Sequence, residues 1–463
     1  MNSVTIVHHA TRKGSALVMS LMFVVMFSAL AVALASLSGA NVQIADTHRK
    51  LDNTRACAES GLEVLRYWMN KVEISGLTED DQRFNQVATT LQSELSAAQA
   101  TNITLTCTNS TITIPAVSLN SSLGQTFSAV LTKINNDTIQ LDVTGHYGPF
   151  SRTIRTNYNF TTRANTVFDF GVASKGPISL SGNVEIEGVN LEVESNAYIE
   201  SENALLALSI IGNSHIAGEV KIVNPSAYVY LQGGKAGIGG DTGEAAMDHV
   251  AIGVDSCEFP EMNPDQFFSY ATNTLSSSAN LSANAAYENI LIPAGMNPSF
   301  SGQVTLKGVI YIEKPNVVTF SGGVDVTGII ITNGDDTDNS GTNRIIFTGN
   351  VTGHPITELP QETQFAGLHE NVGTFIIAPG FHVGFGGSFS TLSGAIAANG
   401  IQMWGNAGGT IQGSIINYSD AQMSLQGNTD LYFNRSGLTE VPAGFVPQLI
   451  LNYNTSSYSE VTL

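Results

Sequence analysis

The sequence predicts a mainly β fold: a long N-terminal transmembrane α-helix, then a small α+β segment, then a parallel β-helix (solenoid) domain. Three observations carry this prediction. An uncharged apolar run lies near the N-terminus, period-two segments follow a second helical stretch, and a glycine-containing phrase recurs through the C-terminal half.

The apolar run, Ser15–Ser38, holds 24 residues without a charge. At about 1.5 Å per residue it makes about 36 Å of helix, enough to cross a hydrocarbon core of about 30 Å with some tilt. Arg12 and Lys13 precede it and are expected to stay in the cytoplasm, which puts the C-terminal bulk outside. Arg49, Lys50 and Arg55 on the far side weaken that orientation without reversing it. A cleaved signal peptide is the competing reading, with Ala33-Leu34-Ala35 as the small-x-small site and Ser36 as the first mature residue. Against it, apolar residues continue past Ile44 at Leu51, Ala58, Leu62, Leu65, Met69 and Val72, mostly in steps of three and four. No proline interrupts them, so an amphipathic helix extends the apolar one outward through about residue 75.

Residues 78–98 read as a second helix with an acidic first turn. Strand-like runs follow at Ile103–Cys107, Thr111–Ile114, Phe127–Lys133, Thr138–Gly145 and Ser151–Phe160, with a turn at His146-Tyr147-Gly148-Pro149. Residues 76–165 are therefore expected to form a small α+β head.

The second half is marked by glycine: of 45 in the chain, only seven precede residue 166. The phrase Leu180-Ser-Gly-Asn-Val-Glu-Ile-Glu-Gly188 returns as Phe300-Ser-Gly-Gln-Val-Thr-Leu-Lys-Gly308 and Phe320-Ser-Gly-Gly-Val-Asp-Val-Thr-Gly328. Looser copies are Ile210–Gly218, Phe347–Gly353, Met403–Gly409 and Leu425–Leu431, and neighbouring copies start 30, 20, 27 and 22 residues apart. Short strands with glycine corners at such spacing predict coils of a parallel β-helix over 166–437, with a β-sandwich as the alternative. Asn183, Asn213, Asn350, Asn406 and Asn428 share one place in the phrase and are expected to form a ladder. A helical insertion is expected near 241–298, started by Asn263-Pro264-Asp265, and residues 438–463 read as a C-terminal tail.

Composition narrows the function. The net charge is −20 with only 13% charged residues, which excludes nucleic acid as a partner. The nine histidines form no metal-binding spacing, and no nucleophile elbow or phosphate loop occurs. Asn428-Thr429-Asp430 echoes one motif of the polygalacturonases, but it lies inside a phrase copy and no second carboxylate pair accompanies it. The chain is therefore expected not to be an enzyme. Asp336, Asp338 and Ser340, followed by Gly341, match the first half of a calcium loop, making Ca²⁺ the one cofactor that the pattern suggests. The expected position-12 glutamate is replaced by Phe347, and a solvated polar loop is the competing reading. Cys57, Cys107 and Cys257 form no metal motif; a Cys57–Cys107 disulfide and three isolated thiols are alternative expectations.

Lys13-Gly14 followed by Ser15 and the apolar helix resembles a prepilin leader cut after Gly14. The stretch KGSALVMSLMFVVMFSALAVALASLS, continuing to RACAESGLEVLRYW, is similar to the N-terminal domain of PilX-like type IV pilus assembly proteins. The resemblance covers about 70 residues and includes an Ala-Glu-x-x-Leu segment at Ala58-Glu59-Ser60-Gly61-Leu62. It implies residues 1–14 as leader, Gly14 and Ser15 as the processing site, and 76–165 as a pilin-like head. It also implies a bacterial inner-membrane, pilus or cell-surface location, with membrane lipid, other pilin-like subunits and pilus or secretion machinery as partners. Major pilins carry a glutamate at the fifth mature position, where this chain has Met19. A carboxylate there neutralises a neighbouring subunit's terminal amine in the apolar filament core; its loss points to a minor, low-copy or terminal subunit. The alternative is a membrane-anchored carbohydrate-binding or carbohydrate-active β-helix protein, with a surface carbohydrate or cell contact as partner.

Overall fold

The computed structural model describes residues 14–100, 103–437 and 441–461. The chain divides into two units: residues up to 74 with 78–161 and 450–463, and residues 75–77 with 162–449.

The first unit is organised by α1, Gly14–Met69, a helix of 56 residues and about 84 Å. From Ser15 to Ala45 every residue is exposed. Beyond that point Thr54, Cys57, Ala58, Leu62, Leu65 and Met69 are buried, a stripe at helical spacing. It faces a seven-stranded sheet built from β1 (Glu73–Ser75), β2 (Thr106–Cys107), β3 (Thr111–Asn120), β4 (Gln125–Lys133), β5 (Thr138–Tyr147), β6 (Phe150–Arg163) and the last strand, Gln448–Val461. Their order is β1, last strand, β6, β5, β4, β3, β2. From β2 to β6 the pairing is an antiparallel meander. Ile139, Leu141 and Val143 are buried while Gln140, Asp142 and Thr144 between them are not, as period two requires. Helix and sheet approach closely at Gly145, where a Cβ would stand 2.1 Å from the Thr54 carbonyl oxygen. The second helix, α2 (Arg83–Ala97), buries Phe84, Val87, Ala88, Leu91 and Leu95.

Two expectations are corrected in this unit. Residues 438–463 are not a tail: Gln448–Val461 is a strand between β1 and β6. Its run NTSSYSE is too polar to read as a strand, and its neighbours are remote in sequence. Arg55 pairs with Glu460 at 3.1 Å, and the Arg66 guanidinium lies 4.7 Å from the Tyr453 ring centre, tying this strand to α1. The Cys57–Cys107 disulfide is not formed, and all three cysteines are free. Cys57 is buried on the face of α1, whereas Cys107 lies exposed on β2 at the sheet edge.

The second unit contains two large, almost wholly parallel sheets. In one, the first residues of the phrase copies, Phe300, Phe320, Phe347, Met403, Leu425, Leu180 and Ile210, fall in one column of register partners, joined by Phe385 between Phe347 and Met403 and by Leu231 beyond Ile210, which belong to no copy. The four phenylalanine rings are nearly parallel, with centres 4.9, 5.1 and 5.1 Å apart, close to the strand spacing of about 4.8 Å. A second column, Ile290, Ile310, Ile330, Ile376, Ile396, Ile415, Val172, Ala197, Val220 and Val250, runs through the other sheet. Both belong to one continuous apolar core.

Two positions after each residue of the first column stands a glycine: Gly302, Gly322, Gly349, Gly387, Gly405, Gly427, Gly182, Gly212 and Gly233. A Cβ at Gly322 or Gly349 would lie 2.0 Å from the carbonyl oxygen of the preceding glycine in the stack. The corners are thus packed backbone against backbone, and any side chain would force the strands apart.

The columns are not in chain order. Strands from Val172 lead through Ala197 and Val220 to Val250 at one end. The chain resumes at the opposite end, at Asn273, and works back until Met423–Phe433 pairs with Ile178–Gly188 in unbroken register. The intervening strap crosses the outer face of a sheet. The Cys257 N–H donates to Tyr198 Oη at 2.7 Å, Phe259 packs on Tyr198 and Tyr418, and Phe268 packs on Tyr311. Segment 241–298 is therefore not a helical insertion: it holds the short 3-10 turns Ala245–His249 and Pro264–Tyr270, with strands around them. Pro264 does start a helical turn, but Phe267, fully buried, pins it after seven residues.

The expected asparagine ladder has one rung, from Asn183 Nδ2 to Asn428 Oδ1 at 2.9 Å. A different set does the work. Asn297 N–H donates to Asn316 Oδ1 at 2.7 Å, and Asn316 N–H donates to Asn343 Oδ1 at 3.2 Å, with Asn316 and Asn343 buried. The sequence signal is an asparagine four residues before Phe320 and Phe347.

Gly349→Ala should destabilise the second unit by about 2 kcal/mol or more, through overpacking of backbone on backbone. Gly234→Ala, where nothing lies within 4 Å of the added carbon, should stay within about 0.5 kcal/mol. Denaturant unfolding followed at Trp404, in a Trp68→Phe background, measures both.

Candidate functional site

The residues singled out from the sequence do not converge. Ser15 and Met19 lie on the exposed part of α1, and the side-chain surroundings of Gly14 fall outside the described residues. Asp338 and Ser340 form a local turn bond, with Asp338 Oδ1 accepting from Ser340 N–H at 3.0 Å, and Asp335, outside the predicted set, forms another with Thr337 N–H at 2.9 Å. The Asp336 carbonyl accepts from Asn399, so this residue is held by its backbone. Among the described residues no three His, Cys, Asp or Glu side chains gather as a metal-binding group. Asn428-Thr429-Asp430 lies within strand Met423–Phe433, where Thr429 is buried and its hydroxyl donates to the Gln426 carbonyl.

The built concavity lies on the outer face of the phrase sheet. Strands Arg344–Phe347, His382–Phe385, Ile401–Met403 and Met423–Phe433 run side by side, with Ile345, Phe347, Val383, Phe385, Ile401, Met403, Met423 and Leu425 turned into the core. The alternate positions face outward in two rows: Arg344 beside His382, and Ile346, Gly384, Gln402 and Ser424 across all four strands. Together with Trp404, Ser419 and Gln422 they line a groove of about 340 Å³.

Glycine shapes its floor. A Cβ at Gly384 would come 2.7 Å from Trp404 Cζ3, and one at Gly386 would come 2.6 Å from Cε2 and Nε1, so the indole spans both. A Cβ at Gly400 would similarly meet the His382 ring at 2.7 Å. Arg344 is oriented by its Nε, which donates to the Gly341 carbonyl at 2.8 Å, and the rest of its guanidinium stays exposed. Burial, and then the Arg344 charge, lower the pKa of His382, so its ring is neutral at pH 7. Among the described residues no aspartate or glutamate lines the groove, and Arg344 is the one charged side chain in that lining. This site was missed in the sequence because its residues are spread from 344 to 424. Its signal was present: the glycines of Val383-Gly-Phe-Gly-Gly-Ser-Phe389 lie just before the lone tryptophan of this half.

No family model matches the chain, and no curated protein matches it. Among solved structures it is similar to the competence-associated pilin ComZ from Thermus thermophilus, at 12% identity over 89% of this chain and 97% of that one, with a TM-score of 0.23. A TM-score that low gives the likeness no weight for fold or function.

Burial pushes the pKa of Glu200 up to about 7, with Lys175, Glu202 and Asp420 nearby. Between its ordinary value of 4.5 and about 7 the folded chain holds a proton that the unfolded chain releases, so stability falls as pH rises through that window. Thermal unfolding at pH 5 and pH 8 should show the second unit losing about 1–2 kcal/mol, a figure reduced for partial exposure, and Glu200→Gln should abolish the difference.

Proposed function

We propose that this chain is a non-enzymatic, membrane-anchored, pilin-like minor subunit whose second unit is a parallel β-helix displayed outside the cytoplasm. The observation that carries the reading is α1. One uninterrupted helix has an N-terminal half that is apolar and wholly exposed, and a C-terminal half whose buried stripe packs on a small antiparallel sheet. Apolar side chains from Leu17 to Ile44 left in water would be costly; lipid or the helices of sister subunits would remove that cost. The division of labour along one helix, apolar for assembly and amphipathic for the head, matches the expectation from the PilX-like N-terminus.

Met19 belongs to the exposed apolar surface and supplies no carboxylate for a neighbour's terminal amine. That favours a low-copy or terminal position over the bulk of a filament. The β-helix reading is supported by the two columns, in which each strand pairs in parallel with its equivalent in the next coil. The inner bacterial membrane is the location that fits, with lipid and other pilin-like subunits as partners.

N-terminal sequencing of the mature protein should begin at Ser15, and Gly14→Ala should leave the leader attached. A start at Ser36 would identify signal-peptide processing and end the pilin reading.

A further inference from the structure

We propose that the groove over Gly384 and Gly386 binds an acidic glycan, with a pyranose ring stacked on Trp404 and its carboxylate held by Arg344. The inference stands on the second unit alone and does not depend on the pilin reading.

Three features favour a sugar. First, the half-exposed indole of Trp404 covers a floor that two glycines keep clear. A flat aromatic surface in a polar groove suits the C–H face of a pyranose, which is apolar on one side and hydroxylated at its edge. Second, the surrounding accessible groups are neutral donors and acceptors, the amides of Gln402 and Gln422 and the hydroxyl of Ser424, which match hydroxyl groups. Third, the groove crosses four parallel strands about 4.8 Å apart, a length that fits an extended oligomer.

The charge specifies the glycan class. Arg344 is the one charged side chain among the described lining residues and supplies a contact for an anion, with Asp338 and Asp420 outside the lining. Its Nε is engaged with Gly341, which fixes the plane and leaves the terminal nitrogens to a carboxylate. Hydrolysis of a glycoside ordinarily needs a pair of carboxyl groups flanking the bond, and among the described residues the lining holds none, so the proposal is one of binding.

The test uses the full chain in detergent micelles carrying Trp68→Phe, so that Trp404 is the single indole. Oligogalacturonate, alginate oligosaccharide and a neutral cello-oligosaccharide of equal length are titrated while Trp404 fluorescence is followed. The expected result is a saturable change with at least one of the two uronate oligomers and at least ten-fold weaker binding of the neutral one. Arg344→Gln, at an exposed position, should weaken uronate binding ten-fold or more and leave the neutral sugar unchanged. By calorimetry Trp404→Ala should lose binding of both kinds, and Trp404→Phe should recover most of it. No saturable binding of either uronate overturns the proposal, as does equal affinity for the neutral oligomer or an Arg344→Gln variant that binds as the parent does.

Discussion

A column of glycines sets the conditions for everything else in the second unit. From Gly302 through Gly349 and Gly427 to Gly233, each sits two residues after a core side chain, and most would drive a Cβ to within 2.0–2.5 Å of a carbonyl oxygen one strand away. Backbone can stack on backbone only without side chains there. Once it does, the residue two places earlier must fall directly on its equivalent, and the phenylalanine stack follows. The outward positions then fall into rows as well, which is how Arg344, His382, Gly384, Gln402 and Ser424 come to share a groove. Corner, core and site thus descend from one steric requirement.

The same stacking explains why the path can run out of order. Strands with equivalent glycines are interchangeable as neighbours, so Met423–Phe433 can pair with Ile178–Gly188 as readily as with a strand next to it in sequence. Glu194 reinforces that junction. Although burial works against it, backbone N–H groups of Asn190 and Arg435 and the Asn190 amide hold its carboxyl below the ordinary range, linking the start of the unit to its end. The first unit is likewise completed by the chain's last strand, between β1 and β6. Both units therefore wait on C-terminal residues, and such long-range closure is slow to form.

Much of this was legible in the sequence, in particular places. The phrase copies at 180, 210, 300, 320, 347, 403 and 425 are the residues that stack, because glycine and the apolar residue before it are both dictated by the corner. Phe385 was passed over although Phe385-Gly-Gly keeps the same spacing, since the remainder of the phrase is lost there. What periodicity does not contain is direction: equivalent copies do not state which stacks on which, so the reversed order was invisible. The last strand was hidden by its polarity, and the asparagine ladder was placed at the wrong corner because Asn-x-x-x-Phe sits before the phrase. The groove was unreadable because its members meet only through the register of four strands. In the first unit, by contrast, the amphipathic stripe of α1 followed directly from the three-and-four spacing.

The pairing of Met423–Phe433 with Ile178–Gly188 is tested most directly by a disulfide. Asn183 and Asn428 are register partners on adjacent parallel strands, within the Cα separation of about 4.4–6.8 Å that a disulfide spans. The variant Asn183→Cys/Asn428→Cys should oxidise to a 183–428 crosslink, located by peptide mass spectrometry, with the native thiols left free. A pair that stays reduced in a folded protein, or a 183 thiol captured by a position two strands away such as Asn406→Cys, would contradict the account.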